Sequence, residues 1–409
     1  MSGFSKIEPQ GRLFYRVGGI GEGERVHTVC RAKIWADADL ADRGEGLDLN
    51  VFQRTSVLAL VTGLVLVSLM ACAHSTPPFV DESGVPLVGS IAQEMYLAMP
   101  GAEEYVLIRG RDRRKPAVLF VHGGPGGSET ALMRAFHPEL EADVVMVYWD
   151  QRGAGKSYRS TTPIDTMTIT QFIEDMDHVV EYVRRHLGRE RLFLLGHSWG
   201  ATLGMLYAKR FPEKVAGYIG IGQPSGPEVE HHAYEFVVRE AQSRGEERAL
   251  VQLKEIGPPP YAEQDKVHVR DHWLHRFGGY TVAPIGLSSL VWRALWTPEA
   301  GLGDLFRAWS ALHFSQTALA KELAQFDLTK AVSSLEVPVT FILGRHDERT
   351  WAPMAERYLE QLDAPCKRLL WLEHSAHNGP FEEPALFRRY VLDTIRNLEA
   401  RQECMPVAR

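Results

Sequence analysis

Cysteine is scarce in this chain of 409 residues. Only Cys30, Cys72, Cys366 and Cys404 occur, and they are widely scattered. That number and spacing exclude a disulfide-stapled scaffold and a cysteine-built zinc site. Long blocks of like charge are also missing. The net charge is −7 with both signs interspersed, so nothing points to nucleic acid as a partner. No internal repeat is present.

One further absence is local. No Asp, Glu, Lys or Arg occurs between Arg54 and Asp81, and Val57–Ala71 is almost wholly apolar. A positive residue, an apolar run and small residues at its end make a secretory signal. The run is short for a membrane span, which takes roughly 20 residues. It closes on Leu69-Met70-Ala71-Cys72. This is similar to the lipobox of bacterial lipoproteins, whose Cys is lipidated and becomes the first residue of the mature chain. Cys72 is therefore expected to carry lipid, with an uncleaved anchor or an ordinary cleaved signal as the alternatives. The expected place is the bacterial cell envelope, with the domain held at a membrane and outside the cytoplasm. Residues 1–50 are then expected to be a mis-called extension, with Val51 as the alternative start, or a cytoplasmic tail. Residues 51–72 are the signal or anchor. Residues 73–90, rich in Ser, Thr, Pro and Gly, read as a tether.

The remainder is ample for a large core plus an inserted subdomain, since the chain is 45% hydrophobic. Short apolar runs at 104–108, 117–121, 144–149, 191–195, 215–221, 337–343 and 368–372 read as strands. They alternate with helical stretches such as 169–187, which predicts an α/β fold with a mainly parallel sheet covered on both faces. Residues 224–330 lack strand character and read as a helical cap, broken by Pro258-Pro259-Pro260. The core is then 91–223 together with 331–400.

Gly196-His197-Ser198-Trp199-Gly200 stands between a strand and a helix. G-x-S-x-G in that setting is a nucleophile elbow, in which small flanking residues let a strained turn hold the Ser hydroxyl out. The elbow requires an acid and then a His further along the chain. Asp347 lies three residues past Gly344, after one strand, and His377 lies in the loop after the next. The Ser needs a base to take its proton, and the base needs a carboxylate to fix its tautomer. His374 is the rival base, and Glu348 is the rival acid, with His346 on the other flank of Asp347.

An oxyanion hole is expected after the 117–121 strand, in His122-Gly123-Gly124-Pro125-Gly126-Gly127. Glycines allow close backbone approach, and their N–H groups donate to the oxyanion. The second donor is expected from the backbone of Trp199. A phosphate loop does not fit, because no Lys-Ser/Thr pair follows. Gly155-Lys156-Ser157 looks like the end of a nucleotide-binding loop, but Asp150 stands where its first Gly belongs.

His122-Gly123-Gly124-Pro125-Gly126, Asp150-Gln151-Arg152-Gly153-Ala154-Gly155-Lys156-Ser157 and Gly196-His197-Ser198-Trp199-Gly200 together resemble the proline iminopeptidase family of serine peptidases. The resemblance covers roughly residues 90–400. It implies an α/β-hydrolase core with a helical cap inserted after the sixth strand, and removal of an N-terminal residue, often proline, from peptides. By position it implies Ser198, Asp347 and His377 as the triad and Gly124 with Trp199 as the oxyanion hole. No cofactor is implied. The cap departs from the family: its Arg-x-x-Glu-Leu segment, which carries amine-binding glutamates, is not found. Glu228, Glu230 and Glu235 are the candidates for that role here.

His268, His272 and His275 share a helical face, but no carboxylate is placed to complete a metal site. Trp273, Trp292, Trp296, Trp309 and Trp351 are candidates for the wall of an apolar pocket or for plain cap core. Three functions remain open. They are an aminopeptidase on short peptides, an esterase, amidase or lactonase on small apolar acyl substrates, and a non-catalytic binding lipoprotein.

Overall fold

The computed structural model describes residues 76–282 and 287–400. Cys72, the apolar run before it, and the residue ranges 1–50 and 51–72 lie outside the described residues. So do Cys30 and Cys404.

Eight strands form one sheet in the order β1-β2-β4-β3-β5-β6-β7-β8. Their ranges are β1 Ile91–Met99, β2 Ala102–Gly110, β3 Ala117–Val121, β4 Val145–Trp149, β5 Leu192–His197, β6 Val215–Ile221, β7 Val339–Gly344 and β8 Lys367–Leu372. β1 pairs antiparallel with β2, and β2 with β4; every other pairing is parallel. The sheet thus begins one strand earlier than the run at 104–108 predicts. β1 alternates polar and apolar residues because it lies at an edge, so it lacks the continuous apolar signature of the central strands. β3, β4, β5 and β7 are buried along their whole length.

The longer helices among the described residues are α1 Thr130–Phe136, α2 Ile169–Leu187, α3 Trp199–Arg210, α4 Glu228–Arg244, α5 Glu247–Ile256, α6 Gln264–Arg276, α7 Leu287–Leu295, α8 Leu302–Leu323, α9 Ala352–Gln361 and α10 Pro384–Glu399. α2 shows how sequence makes such an element. Phe172, Met176, Val179, Val180 and Val183 recur at helical spacing and are buried. The Thr168 side chain caps its start by accepting from the Gln171 N–H, and Gly188, left-handed at φ 64°, ends it. α2 and α3 cover one face of the sheet in one apolar cluster, and α10 covers the other with Phe387, Val391 and Ile395.

Helices α4 to α8 all fall between β6 and β7, the place expected for the cap. Trp273, Phe277, Leu253 and Val237 make α4, α5 and α6 a small core of their own. α8 bridges from them to the sheet. Its Ala311 and Ser315 lie where Cβ atoms on Gly126 and Gly153 would stand, so only glycine lets the loops after β3 and β4 close against it.

From Thr76 on, the segment expected to be a tether lies against the domain. Val80 bridges to Pro86, and Arg109 donates to the Pro77 carbonyl. Beneath it is a buried network. Arg134 donates to Glu141 at 2.7 Å and to Glu299 at 2.9 Å, and Arg109 donates to Glu141 at 2.9 Å. Two arginines facing two glutamates satisfy charges that would each be costly alone. Cys366 is disulfide-bonded. Among the described residues, no helix is long and apolar enough to cross a membrane.

Candidate active site

The site grows from three glycines around one strained residue. Ser198 sits between β5 and α3 at φ 53° and ψ −118°, a conformation that non-glycine residues rarely hold. A Cβ at Gly196 would stand 2.6 Å from the Gly200 carbonyl oxygen, and one at Gly200 would collide with the Val121 carbonyl. The G-x-S-x-G spacing is therefore a packing requirement. The Ser198 N–H donates to Ile221 O, tying the elbow to the end of β6. There Gly222, at φ 49°, leaves room for the His377 ring, which would lie 2.8 Å from a Cβ at that position.

Asp347 and His377 are brought together from the loops after β7 and β8. His377 Nδ1 lies 2.9 Å from Asp347 Oδ2, and both side chains are fully buried. Asp347 is otherwise saturated. Its Oδ1 accepts from the N–H groups of Arg349 and Thr350, and its Oδ2 from the Thr350 hydroxyl at 2.6 Å. Burial opposes its ionisation, but His377 and these donors hold its pKa below the usual value. His377 Nε2 is buried and has no hydrogen-bond partner. Its bond to Ser198 Oγ is thus not made here. Such contacts are often long before substrate binds and tighten afterwards. The loop is fastened by Glu382, which accepts from Ala376 N–H, and by Glu383, which accepts from His374 N–H and the Ser375 hydroxyl.

The rivals lie elsewhere. His374 and His346 are exposed, and Glu348 is engaged by His232 of the cap.

Gly124 and Trp199 both line a cavity of about 370 Å³ with Ser198 at its wall. Trp199 is the first residue of α3, where an N–H has no partner within the helix. Gly124 takes φ 118°. Both residues expected to supply oxyanion donors therefore line the same cavity as Ser198. The Asp150-Gln151-Arg152 segment acts as scaffold. Gln151 accepts from Trp199 Nε1 and donates to His122 O, while Arg152 is buried against Asp175 at 2.7 Å. Asp150 Oδ1 accepts from the hydroxyls of Ser128 and Thr130.

Of the three cap glutamates, only Glu230 reaches the cavity. Glu228 and Glu235 are exposed on α4 and line no part of it, which corrects their assignment as amine ligands. The helical period turns positions 228 and 235 away when 230 faces inward. Glu230 is itself held by Arg270 and Arg349, one on each carboxylate oxygen. Burial works against its charge, yet the two arginines bring its pKa down to about 2. Asp271, also at the cavity, bonds Arg270.

None of Trp273, Trp292, Trp296, Trp309 and Trp351 lines the cavity at Ser198. Trp273 is cap core, Trp351 stacks on His232, and Trp292, Trp296 and Trp309 are exposed. The apolar lining comes from Val229, Tyr261, Tyr280, Leu323 and Phe326 instead. The histidines of α6 are also parted: His268 bonds Gln316, and His275 stacks on Tyr280.

Sequence reasoning missed one pair beside the site. Glu129 Oε1 lies 2.7 Å from His197 Nδ1, and its Oε2 accepts from Gly123 N–H at 2.9 Å. His197 Nε2 lies 3.1 Å from the His377 carbonyl oxygen. The pair thus joins the oxyanion loop, the elbow and the His377 loop. The signal available was the His inside G-x-S-x-G. Its partner, 68 residues earlier, has no motif. Burial disfavours the charge on His197, but Glu129 raises its pKa above the usual value, and His197 lowers that of Glu129 against the same burial penalty. The histidine's contribution is therefore lost as pH rises through its raised pKa, and the carboxylate's as pH falls through its lowered one. Glu129→Gln is expected to lower kcat about 10²-fold with KM nearly constant, since small misplacement of catalytic groups costs that much. Steady-state kinetics on folded protein measures it. An unchanged kcat means that the pair only packs.

Residues 116–384 match the family described as alpha/beta hydrolase fold. A probable aminopeptidase of Bacillus subtilis (strain 168) is 33% identical over 310 residues, covering 74% of this chain and 96% of that protein. A proline iminopeptidase of Heyndrickxia coagulans is 26% identical over 296 residues, covering 69% and 91%. Among solved structures, a proline iminopeptidase-related protein of Thermus thermophilus superposes with a TM-score of 0.55 at 24% identity, over 75% of this chain and 98% of that one.

Proposed function

The chain belongs to the alpha/beta hydrolase family, and from that premise we propose that it is a serine hydrolase releasing N-terminal residues from short peptides. The observation that carries the catalytic reading is the buried His377–Asp347 contact, whose other ring nitrogen has no hydrogen-bond partner, together with the strained Ser198 elbow. In this reading Ser198 Oγ attacks the carbonyl carbon while His377 Nε2 takes the hydroxyl proton. The carbonyl oxygen becomes an oxyanion between the N–H groups of Gly124 and Trp199. Collapse breaks the C–N bond, His377 returns the proton to the leaving amine, and an acyl-enzyme remains. Water then repeats the sequence and frees Ser198. Asp347 keeps the ring tautomer with its proton on Nδ1.

The aminopeptidase assignment rests on the names of the relatives and on two acids, Glu230 and Asp271, at the cavity. One observation favours a second reading. Both oxygens of Glu230 already pair with arginines, so the cluster carries no uncompensated negative charge for a substrate ammonium. An esterase or amidase of small acyl groups needs no such charge. Proline arylamide, its N-acetyl counterpart and a small acyl ester decide between them. The aminopeptidase reading expects the N-acetyl compound to lose roughly 30-fold to 5 × 10³-fold in kcat/KM, since a desolvated charge pair is worth about 2–5 kcal/mol. Equal turnover of blocked and free substrates replaces it with the esterase reading.

We also propose the cell envelope as its place, with Cys72 lipidated. The apolar run ending Leu69-Met70-Ala71-Cys72 supports this. Mass spectrometry of the native amino terminus is expected to find Cys72 first and acylated. A chain carrying unmodified Cys72 overturns the lipid.

A further inference from the structure

Four large apolar side chains stand in solvent on two consecutive helices and the link between them. Trp292 is 61% exposed, Trp296 72%, Phe306 82% and Trp309 72%. Trp292 lies on α7 and Trp296 just past its end, and their rings meet edge to face at 5.6 Å. Phe306 and Trp309 are three apart on α8, hence on one face. The opposite face of α8 buries Ala311, Ser315 and Leu319. Its inner face explains the small residues at the glycine loops. Nothing inside the fold explains the aromatic outer face, and exposed apolar groups of this size mark contact with a partner or a membrane.

The chain's own path says which. Thr76 Oγ1 donates to Glu299 Oε1 at 2.7 Å, and Arg134 holds Glu299 from beneath. Glu299 lies in the link between α7 and α8. The chain is thus fastened between the two aromatic helices, and only four residues, 72–75, separate Thr76 from the uncharged run 57–71. Five virtual bonds reach at most about 18 Å. A bilayer that holds residue 71 or a lipid on Cys72 therefore lies within roughly that distance of Glu299. Tryptophan is the residue of choice at the headgroup boundary, with arginine beside it for anionic lipid. Arg293 and Arg307 flank the four aromatics.

We propose that the outer face of α7 and α8 docks on the bilayer interface, with Trp292, Trp296, Phe306 and Trp309 entering the headgroup layer. The inference rests on the envelope reading, and it is independent of the catalytic one. It gives α8 two contacts, membrane outside and cavity inside, where Gln316, Ala320 and Leu323 line the space above Ser198. Docking then fixes how the cavity mouth faces the membrane.

The test uses the full chain in vesicles of phosphatidylcholine and phosphatidylglycerol with brominated acyl chains, which quench indole fluorescence on contact. The chain has nine tryptophans, and none lies in the run 57–71, so the anchor itself is silent. Trp149, Trp199 and Trp273 are buried and expected to stay bright. The wild type should be quenched, and Trp292→Ser/Trp296→Ser/Trp309→Ser should show at least a two-fold smaller quenched fraction. Circular dichroism and fluorophosphonate labelling report whether the variant is folded. Equal quenched fractions, no quenching, or a protein that does not sediment with the vesicles each overturn the proposal. So does a dimer in sedimentation that the triple variant abolishes, which assigns the face to a second copy. Absent labelling of the wild type counts against the hydrolase reading and leaves the quenching result intact.

Discussion

Ser198→Ala is expected to abolish turnover, with kcat falling by a factor on the order of 10⁶, the usual loss on removal of a nucleophile from such a triad. The substitution deletes one oxygen at a residue whose backbone is fixed from three sides. Val121 and Gly200 are in contact, the Ser198 N–H is held by Ile221, and α3 begins at the next position. The thermal midpoint should therefore hardly move. Fluorophosphonate labelling should vanish in the same protein. More than a few per cent of the wild-type rate from pure Ser198→Ala overturns the nucleophile, and retained labelling points to another serine.

Asp347→Asn is expected to cost kcat on the order of 10⁴, with substrate affinity little changed. The geometry states why. Asp347 Oδ2 accepts from His377 Nδ1, and an amide nitrogen placed there must donate instead. The ring then turns to the other tautomer, with its proton on Nε2, and cannot take one from Ser198. The carboxylate that stabilises the imidazolium is lost as well. The backbone N–H groups of Arg349 and Thr350 still donate to the amide oxygen, and the Thr350 hydroxyl can turn to accept from the amide nitrogen, so the loop should stay in place. A pre-steady-state burst separates the two halves of the reaction. Acylation should slow in step with the overall rate. A near-normal kcat removes Asp347 from the triad. Glu348 is a poor substitute, because it is turned to His232.

Much of the frame is legible in the sequence. The buried strands carry continuous apolar runs that no other element needs, so β3 and β6 fall where the runs at 117–121 and 215–221 place them. α2 spans Ile169–Leu187 because a Thr cap, a 3.6-residue apolar stripe and a terminal Gly all agree. β1 is not legible, since an edge strand buries little and its alternation is weak. The catalytic candidates can be named in order because each belongs to a strand end, and strand ends are countable in sequence.

Sequence could not decide which side chains meet across loops. Glu228, Glu230 and Glu235 look alike on paper, and only the rotation of α4 on the cap turns Glu230 to the cavity and the other two to solvent. The arginines that neutralise it come from α6 and from the loop after β7, 40 and 119 residues away. Glu129 gains a role only because the β3 and β5 loops end side by side in a parallel sheet. The same holds for the tryptophans, whose burial depends on which face of α6, α7 or α8 finds a neighbour. Local patterns determine elements, since they act through backbone propensity and hydrophobic period. Charge balance and pocket shape are set by contacts between residues far apart in the chain, and those exist only once the elements have packed.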